Sequence, residues 1–517
     1  MPLDPSSRSP ARHLAHLLVV VAAVLLQACT TLRTDLPRPD SFALPLTEST
    51  PLGDTVAAQA AEHPGQSGFR LLPRGNQALT ARHALALAAR RTLDLQYYII
   101  TADETSRTVL RLSTQAAERG VRVRLLIDDI HSDGRDELAA AFARHPNIEV
   151  RVFNPFRVRG TMGFWRTAEF LVDNDRLNRR MHNKAMIADN AAAIVGGRNL
   201  GEEYFGTSAA TAFVDMDVLA VGPVAQQTSA AFDTYWNSPY AIPVEHFLHT
   251  LPDALPPVGT NVMPLPGAGT LASHLLAGTV PFTWAPAEVL YDLPEKAGGE
   301  ASAAREGVRI GPRIRQMLLG AQKQLTLVSA YFVPRDLGVK QFKDMVDRGV
   351  RVRIVTNSLA ANDVIPAHGG YAHYRPGLAR AGVELYELRP LEPDRDPEVK
   401  DGGSGPFNSR TSLHAKTMVV DGRTVVIGSF NGDPRSVWLN TETAVVIDSE
   451  ALALELRAGL DQVLATQCYR VFWRDERLVW EREDSGIRIT TDVEPDTSAW
   501  RRFLSEVLWA VTPESFL

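Results

Sequence analysis

Lysine is close to absent from this chain: 517 residues contain seven, so arginine carries nearly all the positive charge. No basic excess exists either. The formal net charge is -6, which excludes the electrostatic footprint of a nucleic-acid-binding protein and otherwise reads as solubility. Cysteine occurs twice, at Cys29 and Cys468, and the two do not read as a pair. Long apolar runs are missing as well. The one candidate, "LLVVVAAVLLQAC" (17–29), falls short of the roughly 20 residues that span a bilayer. With Arg8 and Arg12 before it, the run is expected to be a secretory signal, not a membrane helix. Its end, Leu26-Gln27-Ala28-Cys29, resembles a bacterial lipobox, although Gln27 departs from that box. Lipidation at Cys29 would make that residue the new N-terminus; a plain signal peptide is the alternative. Cys468 is then a lone thiol, expected as a buried apolar filler.

Length points to two domains. The expected division is a lipoprotein signal peptide over 1–29, a flexible Pro/Thr/Ser/Ala tether over 30–65, a first repeat over 66–240, a connector over 241–305 that is partly ordered against the body, and a second repeat over 306–517. Within the first repeat, strand-like "LDLQYYII" (93–100), helix-like "TVLRLSTQAAERG" (108–120) and strand-like "VRVRLLID" (121–128) alternate. That alternation predicts an α/β fold with a largely parallel sheet. The pattern then recurs. "RGVRVR" stands at 119–124 and at 348–353; "LDLQYY" and "LTLVSAYF" precede the two copies, and "IEVRVF" and "VELYEL" follow them.

The same repetition carries the chemistry. "HNKAMIAD" contains His182, Lys184 and Asp189 at spacing H-x-K-x-x-x-x-D, and "HAKTMVVD" repeats it with His414, Lys416 and Asp421. With so few lysines, one chance occurrence is expected roughly 0.01 times. Arg119 precedes His182 by 63 residues and Arg348 precedes His414 by 66, so the motif occupies one place in two halves. On a strand, His182 and Lys184 share a face, as do His414 and Lys416. Lysine beside histidine suits a metal poorly, because the ammonium repels a cation. It suits a phosphate well. "VGGRN" and "IGSFN" add Asn199 and Asn431 as amide donors, with Gly196 and Gly428 allowing tight turns and Gly197 matched by Ser429. If the halves face each other, two histidines meet, and a phosphodiester displacement needs two: one to attack phosphorus, one to protonate the leaving alkoxide. Lysines and asparagines would stabilise the equatorial oxygens. Asp217 in "DMDV" and Glu442 in "NTETAVV" are the candidates for orienting the histidines. Asp189 and Asp421, at strand ends, read as structural. Tyr97, Tyr98, Tyr331 and Phe332 read as core or pocket wall. Arg176, Arg179 and Arg180 would either draw an anion towards the pocket or lie solvated. "RVRGTMGFWRTAEF" (157–170) would dip into a lipid interface or cap the body.

The duplicated motif resembles the phospholipase D superfamily. "RLNRRMHNKAMIADNAAAIVGGRNLGEEYF" and "SLHAKTMVVDGRTVVIGSFNGDPRSVWLNTE" look like bacterial cardiolipin synthases of the C-type branch. The resemblance implies two homologous α/β/α repeats packed face to face around one shared active site. It also implies a phosphatidyl-histidine intermediate attacked by a second lipid's alcohol, with no metal and no cofactor. Carried over by motif, the catalytic set is His182, Lys184, Asp189 and Asn199 with His414, Lys416, Asp421 and Asn431. Which histidine attacks is not legible in the residues; analogy with relatives favours His182. Substrates would be phospholipids: phosphatidylglycerol, phosphatidylethanolamine or cardiolipin. Membrane-spanning relatives carry N-terminal helices that this chain lacks, and a lipid anchor on Cys29 would replace them. The expected location is the periplasm-facing cell envelope, the outer membrane before the inner, since Thr30 and not aspartate follows the cysteine. Phospholipase D hydrolysis to phosphatidic acid, a nuclease and a lipid-binding scaffold stay open beside the synthase, as does the oligomeric state.

Overall fold

The computed structural model describes residues 37–130, 136–157, 163–208, 211–247, 265–305, 307–390, 411–484 and 486–514. The signal segment with Cys29, the start of the expected tether and 391–410 lie outside them.

Two mixed sheets carry the fold. In the first, Thr92–Tyr97, Arg122–Asp128 and Ile148–Phe153 run parallel, and the motif strand Ala185–Ala188 pairs antiparallel with Thr92–Tyr97. Ala192–Gly196 and Asp217–Val221 then extend the sheet antiparallel. The second sheet repeats this order with Gln324–Ser329, Arg351–Asn357 and Glu384–Leu388 parallel, then Lys416–Val420, Thr424–Gly428 and Thr443–Asp448 antiparallel. The expectation of a largely parallel sheet therefore holds only for the three strands joined by helical crossovers. "AMIA" and "AAIV" are linked through Asp189 and Asn190, both at positive φ, and so short a link can only make a hairpin.

"RGVRVR" has a local reason to recur. Helix Glu104–Glu118, capped by Asp103 through the Ser106 amide, ends at Gly120 with φ 90°. Helix Arg335–Asp347 ends at Gly349 with φ 85°. This left-handed position favours glycine, and the alternating valines that follow enter the buried strand. The two sheets share a core: Val195, Val218 and Ala220 pack in one cluster with Val425, Ile427, Val445 and Ile447. That contact turns the two motif strands towards one another.

The described parts of the expected tether and of the connector both belong to the body. In the described part of the 30–65 segment, Pro51–Ala61 is a helix capped by Thr50, and its i, i+4 pair Leu52 and Val56 is buried. Ahead of it, the Ala43 amide donates to Asp233 at 2.7 Å and Arg124 holds the Ser41 carbonyl at 2.7 Å. Loop-like composition hid one apolar stripe sufficient to dock it. In the 241–305 connector, Thr283–Ala285 pairs with Ser67–Leu72 of the first sheet and Ala287–Tyr291 with Thr443–Asp448 of the second. The connector thus stitches the sheets together. Cys468 is buried at a strand start, and burial pushes its thiol up to about 12, as fits a packing residue.

Candidate active site

The two motifs enter their strands beside each other's carboxylates. The His182 amide donates to the Thr441 carbonyl at 2.9 Å, and the next residue is Glu442. The His414 amide donates to the Val214 carbonyl at 2.7 Å, and the next residue is Asp215. Strand Thr411–Leu413 pairs in parallel with Ala212–Val214, which sets this register. The side chains consequently cross between halves. His182 Nδ1 lies 2.9 Å from Glu442 Oε2, and His414 Nδ1 lies 2.6 Å from Asp215 Oδ2. A carboxylate on Nδ1 fixes the tautomer and leaves Nε2 available for phosphorus or a proton.

Asp217 does not orient a histidine, contrary to the sequence expectation. Its carboxylate lies 2.9 Å from Arg82 and 3.5 Å from Arg198. Gly196 pairs with Asp217 and Gly428 with Ala444, so the true counterpart of Glu442 is Asp215. Those glycines serve close approach and not a turn: a Cβ would come within 2.1 Å of Asp217 at Gly196 and within 2.1 Å of the Thr443 carbonyl at Gly428. Gly197 leaves room for Asp215, whereas its counterpart Ser429 donates to Glu442 at 2.5 Å.

Lys184 and Lys416 are both buried. Each bonds the carbonyl of its own motif histidine, Lys184 at 2.6 Å, and each stands over an aromatic ring, Tyr98 at 5.2 Å and Tyr331 at 6.0 Å. Tyr98 also meets His182 edge-on at 4.9 Å; Tyr204 and Phe213 flank His414 at 5.2 Å. Tyr97 belongs to the core beside Arg82, and Phe332 packs in the second core. Asn199 spends its amide on the Ile99 amide and the Tyr204 hydroxyl, while Asn431 Oδ1 has no hydrogen-bond partner among the described residues.

Burial and the neighbouring charges set the protonation of this cluster. Burial lowers Lys184, and it lowers Lys416 to about 8 against the opposing pull of Asp215 and Glu442. Burial and the lysines also lower His182, and lower His414 to about 4, so both imidazoles rest neutral. Burial would raise Asp215, but His414 and Lys416 outweigh it and hold that carboxyl well below its usual range. Glu442 is pushed up to about 7 by burial, offset in part by Lys184 and Ser429. The two histidine–carboxylate pairs are thus unequal. Lys416 keeps its proton below about 8 and loses it above. We therefore expect kcat/KM to fall by up to tenfold per pH unit on the alkaline side of that value. A flat profile to pH 10 would contradict a phosphate-binding role for the Lys416 cation.

A protein-family model described as "Cardiolipin synthase, PLD-like domain" matches residues 83–236 and 314–464, one segment in each half. The chain belongs to this phospholipase D-like cardiolipin synthase family. It is 39% identical to cardiolipin synthase C of Escherichia coli, over 88% of this chain and 97% of that one. An uncharacterized protein of Helicobacter pylori is 34% identical over 90% of this chain and 92% of its own length. Among solved structures, phosphatidylserine synthase of Haemophilus influenzae shares the fold with TM-score 0.53 at 15% identity, over 80% of this chain and 91% of that one.

The family motif's aspartates sit away from the histidine pairs. Asp189 accepts from the Arg90, Arg91 and Thr92 amides at 2.8–3.0 Å, and Asp421 from Gln322, Lys323 and Gln324 at 2.7–3.0 Å. Both carboxylates tie the far end of the motif strand to the start of the neighbouring strand. The residues alone read both as structural and the resemblance places both in the catalytic set; the geometry sides with the structural reading. Asp189→Ala should cost roughly 3 kcal/mol through buried N–H groups left unpaired. Thermal melting should register that loss while kcat per folded molecule stays within about threefold. A large kcat loss at unchanged melting temperature would contradict this.

The arginines before His182 are neither solvated nor poised for lipid. Arg180 is fully buried on Asp128 at 3.0 Å, Arg179 bonds Asp175 and the Trp438 carbonyl, and Arg176 pairs with Glu169 and Asp173. Asp128 also accepts from the Met181 amide at 2.8 Å, so it fixes the approach to His182. Sequence reasoning missed Asp128, although its place at the end of "VRVRLLID" next to the site was a usable signal. The described part of 157–170 forms helix Gly163–Val172, and Arg166 lies 4.2 Å over the Phe156 ring.

Proposed function

We propose that the pocket transfers a phosphatidyl group from one phospholipid to the alcohol of another and so makes cardiolipin. The observation that carries this reading is the pair of crossed histidine–carboxylate dyads beside two buried lysines. In the first half-reaction one histidine Nε2 attacks phosphorus and forms a P–N bond. The headgroup P–O bond breaks, and the other histidine, charged to the imidazolium once the anionic phosphodiester occupies the pocket, gives its Nε2 proton to the leaving alkoxide. In the second half-reaction that histidine takes the proton of the incoming lipid hydroxyl, whose oxygen displaces the P–N bond and frees the first histidine. Lys184 and Lys416 stabilise the equatorial oxygens as negative charge builds. The family membership and the 39% identity to a cardiolipin synthase support transfer over hydrolysis.

The donor is phosphatidylglycerol in this reading, with phosphatidylethanolamine and cardiolipin as the other candidates. Cys29 carries the lipid anchor on the periplasmic side of the envelope, the outer membrane before the inner. Among the described residues no helix is long and apolar enough to cross a membrane. Anchoring predicts that Cys29→Ala moves the protein from the membrane to the soluble fraction; unchanged fractionation would remove the anchor from the account. For the chemistry, purified protein with labelled phosphatidylglycerol should yield cardiolipin and free glycerol in equal amounts. Phosphatidic acid without cardiolipin would establish the hydrolase instead.

A further inference from the structure

Lysine is scarce, yet a third one is buried as deeply as the two in the motifs. Lys296 lies in the connector, fully buried, with its ammonium 2.8 Å from the equally buried Asp292. The motifs have no place for this pair, and "LPEKAGG" gives no reason to bury it.

Its contacts lead to Glu442 by two routes. The first runs through Asp292. Its Oδ2 accepts from the Glu442 amide at 2.8 Å, its own amide donates to the Glu442 carbonyl at 2.9 Å, and its Oδ1 accepts from the Ile310 amide at 2.7 Å. Tyr235 of the first repeat donates to the Asp292 carbonyl at 2.5 Å. The second route runs through Ser436. Lys296 Nζ donates to the Ser436 carbonyl at 2.8 Å, and Ser436 Oγ donates to Glu442 Oε1 at 2.9 Å. Glu442 Oε2 is the oxygen against His182 Nδ1. The connector therefore holds the Glu442 backbone and, through Ser436, Oε1, while Oε2 takes the Ser429 hydroxyl and faces His182. Asp215, the counterpart of Glu442, is held differently. Arg198 of its own repeat bonds its carbonyl at 2.6 Å.

We propose that Asp292 and Lys296 are positioning residues for His182, acting through Glu442. Neither touches the reacting atoms. They hold the Glu442 carboxylate at the angle that fixes the His182 tautomer, and the Lys296 charge favours the ionised carboxylate. The connector thereby makes the first repeat's histidine depend on correct joining of the halves. The inference rests on the phosphatidyl-transfer reading for its kinetic consequences, but not for its effect on the His182 ring.

Two variants test it. Lys296→Met removes the charge and keeps the stem; Ser436→Ala cuts the second route and leaves the buried ion pair intact. In Lys296→Met we expect kcat on phosphatidylglycerol vesicles to fall ten- to a hundredfold, with KM within about threefold. Histidine labelled with 13C at Cε1 reads His182 by NMR, with His182→Ala identifying the signal. The titration midpoint of the His182–Glu442 pair should rise by half a pH unit or more in Lys296→Met and move the same way in Ser436→Ala. The His414 midpoint should stay in place. A folded Lys296→Met with unchanged kcat and unchanged His182 titration would overturn the proposal. If Lys296→Met fails to fold, an unmoved His182 midpoint and unchanged kcat in Ser436→Ala overturn it equally. Absence of lipid turnover in the wild type would sink the transfer reading instead, and the NMR midpoints would still decide the positioning role.

Discussion

Replacing His182 or His414 by alanine is expected to lower kcat by about 10⁴-fold or more, with each single variant nearly as inactive as the double. Each ring has its own carboxylate from the opposite repeat, so neither can take over the other's task. One forms the bond to phosphorus and the other moves the proton. The second-half ring sits between Tyr204 and Phe213, the first-half ring against Tyr98. Lipid binding should survive in both variants, because the lysines remain. Initial rates on phosphatidylglycerol vesicles check this. More than a tenth of wild-type activity in either variant would contradict a site that needs both histidines.

The second large effect separates Asp215 from Asp217, which stand two residues apart. Asp215→Asn should lower kcat by about 10²- to 10⁴-fold at nearly unchanged stability. The amide still fills the space but no longer selects the His414 tautomer or stabilises its cation. Asp217→Asn should instead destabilise the fold by about 3–5 kcal/mol, since Arg82 and Arg198 would lose the buried carboxylate they share. Activity per folded molecule should then stay within about tenfold of wild type. Melting curves beside rates make the comparison. The reverse pattern, a dead Asp217→Asn and an active Asp215→Asn, would mean that the crossed pairing is wrong.

That pair of carboxylates also marks where the sequence stopped being legible. Alternate residues of a strand share a face, so Asp215 and Asp217 project alike, and period alone cannot rank them. The strand ladder can. Setting "DMDVLAV" against "ETAVVID" places Asp215 on Glu442 and Asp217 on Ala444, as the pairing with Gly196 and Gly428 requires. The duplicated motif was legible for the opposite reason. Rare lysines at a fixed offset from "RGVRVR" are hard to produce by chance, and they defined both repeats and both halves of the pocket. The tether was misread because its Pro- and Ala-rich composition looks loop-like, whereas its placement rests on Leu52 and Val56; the connector, expected to be partly ordered against the body, is placed by the buried pair Asp292 and Lys296. Single buried pairs leave no periodic trace. Parallel strands were over-extended for a similar reason, because nothing in "AMIADNAAAIVG" except the Asp189–Asn190 turn distinguishes a hairpin from a crossover.

In the proposed reaction two half-sites combine into one pocket that passes a phosphatidyl group through a histidine. Rapid mixing with a donor lipid labelled in its phosphate, followed by alkaline quench and peptide mapping, reads it directly, since phosphohistidine survives base. One labelled site is expected, on a peptide that contains His182 or His414, with label lost in the alanine variant of that histidine. Label on neither peptide while the enzyme is turning over would contradict the covalent mechanism.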